Sequence, residues 1–136
     1  MMTTVKRSLR VYADTSVFGG CFDVEFKTES LRFFDEVREG QFVLVVSNIT
    51  LDELELAPDQ VRRVLAGLPP EQVELVNTSS ESDELRNAYL AAAVVGPASS
   101  NDAAHIAVAT ISNVDLVVSW NFKHYSGPQN SDQAIS

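Results

Sequence analysis

The sequence predicts an α/β protein in which a parallel sheet lies between layers of helices. Short apolar segments that are typical of strands alternate along the chain with segments that have helical caps and stops. This alternation favours parallel pairing with right-handed crossovers. The 136 residues are enough for one domain with its own core, and not for two.

Four segments are candidates for the strands of this sheet. Residues 8–13 carry apolar side chains at alternate positions, which favours a buried strand. The run FVLVV at 42–46 is continuously apolar, as is typical of a strand covered on both faces. Shorter apolar runs predict the remaining strands at 73–76 and 116–119.

The first helices are predicted from capping residues and stop residues. A helix or loop follows the first strand at 15–22. Thr28 or Ser30 is expected to cap the next helix, and Gly40 to end it. Ser47–Asn48 offers a cap for a helix that runs to about residue 56.

The second half of the chain has three further helical patterns. One covers 59–68, and a longer one opens at Ser80 with Asp83 three residues later. The third, at 102–111, is apolar almost all round, so we expect it in the core, with Asn113 at its end.

The net charge of −9 argues against broad electrostatic binding to nucleic acid. It does not exclude a nuclease, because carboxylates that hold metal ions add negative charge and the ions reverse the sign of the site. The few basic groups, at 6, 7 and 10 and at 62 and 63, are more typical of a solvated face than of an RNA groove.

Cysteine content and apolar runs bear on the compartment. The single cysteine, Cys21, excludes an internal disulfide and a cysteine-based zinc site. No apolar run has the length of a membrane span, and no signal-peptide core follows the N-terminus. We therefore expect a cytoplasmic protein that does not associate with a membrane.

Three acidic residues share one kind of setting in the predicted fold. Asp14 ends the first strand, Glu53 lies in the helix after the second, and Asp102 opens the buried helix before the last strand. Asn121 follows the last strand. Since ligands bind at the carboxyl ends of parallel strands, these groups are expected to surround one site.

Such a group of carboxylates suits a hard divalent cation. Oxygen ligands without a cysteine or histidine cluster favour Mg²⁺ or Mn²⁺, which can acidify a water and screen a phosphodiester. Asp14, Glu53 and Asp102 would be the metal ligands. Asn121 could offer a neutral oxygen, and the hydroxyls of Thr15 and Ser16 could position the water or the substrate.

Each of these residues also has a simpler interpretation. Asp14 or Thr15 could only cap the following helix, as Asp and Thr often do. Asp52 is adjacent to Glu53, and helical periodicity does not decide between them. His105, within the buried helix, is interpreted as a packed core histidine rather than a catalytic base.

Four segments together resemble the PIN-domain family, in particular the VapC-like ribonuclease toxins. They are ADTSV at 13–17, LDEL at 51–54, NDAAHIAVA at 101–109 and VVSWNFKHY at 117–125. The resemblance implies a three-layer α/β/α sandwich with a mostly parallel sheet of 4–5 strands. It places a PIN-like nuclease domain at 1–125 and leaves 126–136 as a polar tail.

The resemblance also implies a function. It implies an endoribonuclease, dependent on Mg²⁺ or Mn²⁺, that hydrolyses phosphodiester bonds of single-stranded or structured RNA. The catalytic acids of the family fall on Asp14, Glu53 and Asp102, with Asn121 where a fourth acid is common. An antitoxin protein and a second copy of the chain, in a homodimer, are the partners it implies.

Two alternatives stay open on the sequence. Asn121 and the polar tail would also fit a catalytically weakened protein of the same fold that binds RNA or a partner. A receiver-like signalling domain also places acids at strand ends, but it needs an acidic pair near the start and a late strand-end lysine. Here the early acid is single, and Lys123 follows Trp120.

Overall fold

Four parallel strands form the central sheet of the computed structural model, which describes residues 8–92 and 100–121. The strands are β1 (Leu9–Ala13), β2 (Phe42–Ser47), β3 (Val73–Val76) and β4 (Leu116–Val118). Their order is β3-β2-β1-β4, so β1 is an inner strand that pairs with both β2 and β4. The predicted α/β class and the parallel sheet are confirmed.

Six helices flank the sheet in the described part of the chain. They are α1 (Thr15–Gly20), α2 (Lys27–Arg38), α3 (Asn48–Glu55), α4 (Asp59–Ala66), α5 (Ser80–Ala91) and α6 (Ser100–Ile111). A short 3₁₀ turn at Pro70–Gln72 leads into β3. Among the described residues, no helix has the length and apolar character that a bilayer crossing requires.

The alternation of side chains along the inner strands divides the core into two layers. Val11 and Leu44 belong to a cluster with residues of α1, α2 and α4. Tyr12 and Val45, one position further along each strand, pack instead with Val108 and its neighbours in α6. Successive residues of a strand point to opposite faces, and both faces here are covered by helices. The three-layer sandwich is therefore confirmed.

Several predicted helix ends are confirmed. Ser47 is the N-cap of α3, and its hydroxyl accepts from the backbone N–H of Thr50. Gly40 has a φ of +83° after α2, and Asn113 has a φ of +58° after α6. These are left-handed conformations, which glycine and asparagine adopt more readily than other residues.

Two predicted caps are wrong. Helix α2 begins at Lys27 after Phe26, without a side-chain cap, so Thr28 and Ser30 lie inside it. The buried Ser30 accepts instead from the indole N–H of Trp120 at 2.9 Å, and that indole stacks on Phe26. Phe26, at the N-cap position, therefore makes a tertiary aromatic contact and no capping hydrogen bond through its side chain.

The start of α5 also differs from the prediction by one residue. Ser79, rather than Ser80, is the N-cap, and Ser82, rather than Asp83, completes a capping box with it. Each serine hydroxyl pairs with the backbone N–H of the other, which satisfies two of the free donors at a helix start.

Two of the basic groups considered in the sequence analysis pair with acids on the surface. Arg10 forms an ion pair with Glu74 of β3, and Arg62 pairs with Asp59 one turn away in α4. This agrees with a solvated face. Lys6 and Arg7, the predicted tail at 126–136 and the boundary at 125 lie outside the described residues.

The close approach at Gly20 gives a stability test. A Cβ at Gly20 would lie 2.6 Å from Trp120 Nε1 and closer still to Ser30 Oγ, whereas a Cβ at Gly19 would have no atom within 4 Å. Gly20→Ala should therefore cost about 1–3 kcal/mol in the free energy of unfolding.

Gly19→Ala is the matched control, one residue earlier in the same helix. It should leave stability unchanged or raise it by up to about 1 kcal/mol, because alanine favours a helix over glycine. Denaturant unfolding of both variants measures the difference. Equal stabilities would mean that Gly20 is not closely packed.

Candidate functional site

The polar residues of the candidate site lie where β1, β2 and β4 end. Asp14 and α1 follow β1, Ser47 and α3 follow β2, and Ser119 follows β4. Because the strands are parallel, these ends share one edge of the sheet, and the start of α6 lies against α3 at the same place.

Asp14 caps α1 and also holds the end of β4. It is only 3% exposed. Its Oδ1 accepts from the backbone N–H of Ser16 at 3.0 Å and from the Ser16 hydroxyl at 2.6 Å. Its Oδ2 accepts from the Ser119 hydroxyl at 2.5 Å. The capping interpretation is right for one oxygen, and the other joins two strands.

The two serines that donate to Asp14 also fix the chain after β4. The Ser16 hydroxyl accepts from the backbone N–H of Trp120 at 2.9 Å, and the Ser119 hydroxyl accepts from that of Asn121 at 3.0 Å. Asn121, predicted as a site residue, therefore stands at this edge beside Ser16, where both border one surface groove.

Glu53 receives three hydrogen bonds, which come from two other helices, α1 and α6. Its Oε1 accepts from the Thr15 hydroxyl and contacts His105 Nε2 at 3.0 Å. Its Oε2 accepts from the Asn101 amide at 2.9 Å. Its neighbour Asp52 is exposed. Of these two acids, it is Glu53 that makes the contacts at this edge of the sheet.

These donors keep the Glu53 carboxylate charged although it is half-buried. Burial, the largest influence, raises its pKa, but hydrogen bonds from His105, Thr15 and Asn101 outweigh it. The net result is a pKa below the ordinary value of 4.5. Hydrogen bonds to the charged form of an acid favour that form.

A buried chain of polar groups continues behind Glu53. His105 is 3% exposed and its Nδ1 lies 2.6 Å from the hydroxyl of Tyr12, which is fully buried. The Tyr12 oxygen also lies 2.7 Å from Ser47 Oγ. Burial raises the pKa of Tyr12 to about 12, so its hydroxyl keeps its proton.

Asp102 lies in the first turn of α6, next to the residues that reach Glu53. Asn101 precedes it, and His105 follows three positions later, on a neighbouring face of the helix. The side chain is of intermediate exposure. The sequence predictions for Asp14, Thr15, Ser16, Glu53, Asp102 and Asn121 therefore fall on one edge of the sheet.

These residues do not form a preassembled metal site. Within residues 8–92 and 100–121, no three His, Cys, Asp or Glu side chains are placed to hold a metal ion together. The donor chemistry still fits a hard cation. A carboxylate has about four acceptor positions, and Asp14 and Glu53 each use three of them for described donors.

Sequence reasoning missed three residues of this site. His105 is predicted only as a packed core residue, and Asn101 and Tyr12 have no predicted role at the site. His105 is indeed buried, yet one of its nitrogens reaches Glu53. The spacing of Asn101 and His105, four residues apart, was an available signal, because such residues share a helix face.

The fold is that of a protein class with a parallel four-stranded sheet, helices on both faces and acids at the strand ends. No family model matches the chain, and no curated protein matches it. Among solved structures, it is similar to a chain of a toxin-antitoxin complex from Klebsiella pneumoniae, with a TM-score of 0.61 and 18% identity. The similarity covers 88% of this chain and 92% of that one. At this identity it establishes a common fold.

The network around Glu53 should make stability depend on pH. The pKa of Glu53 is lower in the folded protein than in the unfolded chain. The ionised carboxylate therefore stabilises the fold in full at pH values above the unfolded pKa. This stabilisation is lost as the pH falls through the folded value. Glu53→Gln should cost about 2 kcal/mol at pH 7, and the cost should shrink below pH 4.5.

Denaturant unfolding at several pH values measures this difference between variant and wild type. Glu55→Gln, an exposed change in the same helix, is the matched control and should have little effect at any pH. A cost for Glu53→Gln that stays constant down to pH 3 would contradict the role assigned to the carboxylate.

Proposed function

We propose that the protein is a metal-dependent endoribonuclease of the PIN-domain type and the toxin of a toxin–antitoxin pair. One observation carries the proposal. Asp14 and Glu53 follow adjacent parallel strands and are joined through Thr15, which is next to Asp14 in the chain and donates to Glu53. Asp102 lies in the first turn of α6, the helix that supplies two other contacts to Glu53.

The proposed partners are supported by the fold similarity and by the sequence motifs. The solved chain of similar fold comes from a toxin-antitoxin complex, so we propose an antitoxin as a partner of this chain. A toxin that cuts RNA would act in the cytoplasm. Strand β4 is at one edge of the described sheet, and pairing there with a second copy would give the homodimer that the sequence resemblance implies.

The residues at this edge would have two different roles, binding the metal ion and orienting its ligands. Asp14, Glu53 and Asp102 would hold Mg²⁺ or Mn²⁺, and Asn121 would offer a neutral oxygen. A bound ion of this kind supplies an activated water and offsets charge on a phosphodiester. The Thr15 and Ser16 hydroxyls keep the carboxylates oriented by donating to them, as they do in the present structure.

A second candidate is a catalytically weakened RNA- or partner-binding protein of the same fold. The observation that favours it is that described residues include no metal-ready group of three, while an asparagine stands at 121. A calorimetric titration with Mn²⁺ separates the two candidates. Absence of binding at millimolar metal would favour the weakened protein.

The nuclease proposal is tested by cleavage of single-stranded RNA with added Mg²⁺ or Mn²⁺. Asp14→Asn, Glu53→Gln and Asp102→Asn should each lower the rate about 100-fold or more, because a metal ligand contributes several kcal/mol to the transition state. A chelator should abolish cleavage by the wild type.

Asp52→Asn is the matched control, since Asp52 is the exposed neighbour of Glu53. It should cleave at the wild-type rate. Thermal unfolding of every variant separates lost chemistry from lost folding. Equal cleavage by the wild type and all three site variants would reject the proposal, because a contaminating nuclease would then explain the activity.

A further inference from the structure

A buried row of hydroxyl and imidazole groups lies directly behind Glu53, and the proposed reaction does not use it. The row runs from Ser47 through Tyr12 to His105 and ends at the Glu53 carboxylate. Serine, tyrosine and histidine are all buried here. Placing polar groups in a core is unfavourable unless they form hydrogen bonds, so the presence of three of them here calls for a physical explanation.

We propose that Tyr12 and His105 are positioning residues that fix the Glu53 carboxylate in the orientation needed to bind a cation. This inference rests on the proposed function, in which Glu53 is a metal ligand. It concerns residues of the chain that touch neither cation nor substrate and act only through Glu53.

The direction of the hydrogen bonds follows from what each group can do. A carboxylate has no proton to give, so His105 Nε2 carries the proton that is shared with Glu53 Oε1. In the neutral ring Nδ1 is then an acceptor, and the Tyr12 hydroxyl donates to it over 2.6 Å. Ser47 in turn donates to the Tyr12 oxygen over 2.7 Å.

Each member of the row holds the next one in place. Tyr12 belongs to the inner strand β1, and its hydroxyl selects which nitrogen of His105 carries the proton. The selected proton points at Glu53 Oε1. Outer partners of this kind orient a ligand, and their loss costs about 10–100-fold in metal affinity.

Two polar replacements of His105 separate positioning from general packing. Glutamine has a side-chain nitrogen as many bonds from Cβ as Nε2, so His105→Gln retains a donor for Glu53. Asparagine ends where Nδ1 does, so His105→Asn reaches towards Tyr12 only. We expect Mn²⁺ affinity to fall about tenfold or more in His105→Asn and by a smaller factor in His105→Gln.

Two further variants complete the set. Tyr12→Phe removes only the hydroxyl and should weaken Mn²⁺ binding while His105 and Glu53 are intact. Val37→Ala opens a cavity in the other core layer, away from the row, and should lower stability without changing Mn²⁺ affinity. Calorimetry measures affinity, and thermal unfolding measures stability. Equal losses of affinity in the asparagine and glutamine variants would overturn the proposal.

A measurement without metal distinguishes failure of this inference from failure of the proposed function. Nitrogen NMR of the His105 ring should find the proton on Nε2 and a bare Nδ1. Carbon relaxation should find a rigid Glu53 side chain in the wild type and in His105→Gln, and a mobile one in His105→Asn. If the wild type binds no Mn²⁺, the proposed function fails, and these spectra still decide the positioning role.

A proton on Nδ1, or the same Glu53 mobility in all three proteins, would overturn the inference even if RNA cleavage depends on Mn²⁺.

Discussion

A half-buried carboxylate must be matched by donors, and at Glu53 this requirement connects most of the elements at the carboxyl edge of the sheet. A charge taken out of water without partners costs several kcal/mol, so its position depends on what surrounds it. The donors come from the start of α1 and from two positions of α6, while Glu53 itself is on α3. The placement of one side chain thus relates three helices to each other.

Asp14 has the corresponding role between strands. One of its oxygens accepts a hydrogen bond from the Ser16 hydroxyl, and the other accepts one from the Ser119 hydroxyl. These two bonds join the start of α1 to the end of β4. Both serines then accept backbone N–H groups from the segment after β4. The same carboxylate that is proposed to hold a cation therefore also stabilises the metal-free fold, and a variant there changes both.

Much of the fold could be predicted because local patterns determine it. The apolar runs of β1, β2 and β4 identified the strands, and their alternation with helices identified the parallel sheet. The wrong caps of α2 have a physical reason. Hydroxyls at 28 and 30 look like caps, but the helix begins after Phe26, whose ring stacks on Trp120, more than 90 residues away.

Of the candidate site, too, one part could be predicted from the sequence and another could not. Asp14 was predictable, because an acid directly after an inner parallel strand lies at the edge where ligands bind. The choice of Glu53 over Asp52 was not, since both flank the apolar side of one short helix. The contacts that hold Glu53 at this edge come from Asn101 and His105, about 50 residues further along the chain. No local pattern contains such a contact.

The donors around the two carboxylates differ in how easily they can give way. The hydroxyls of Thr15 and Ser119 rotate about one bond, so each can turn from a carboxylate oxygen towards water or another acceptor. His105 cannot turn in this way, because it is buried and its other nitrogen is bound to Tyr12. A cation that entered this edge would therefore displace hydroxyl donors first and leave the histidine contact intact. The contact between His105 and Glu53 is therefore fixed by the core before any cation binds.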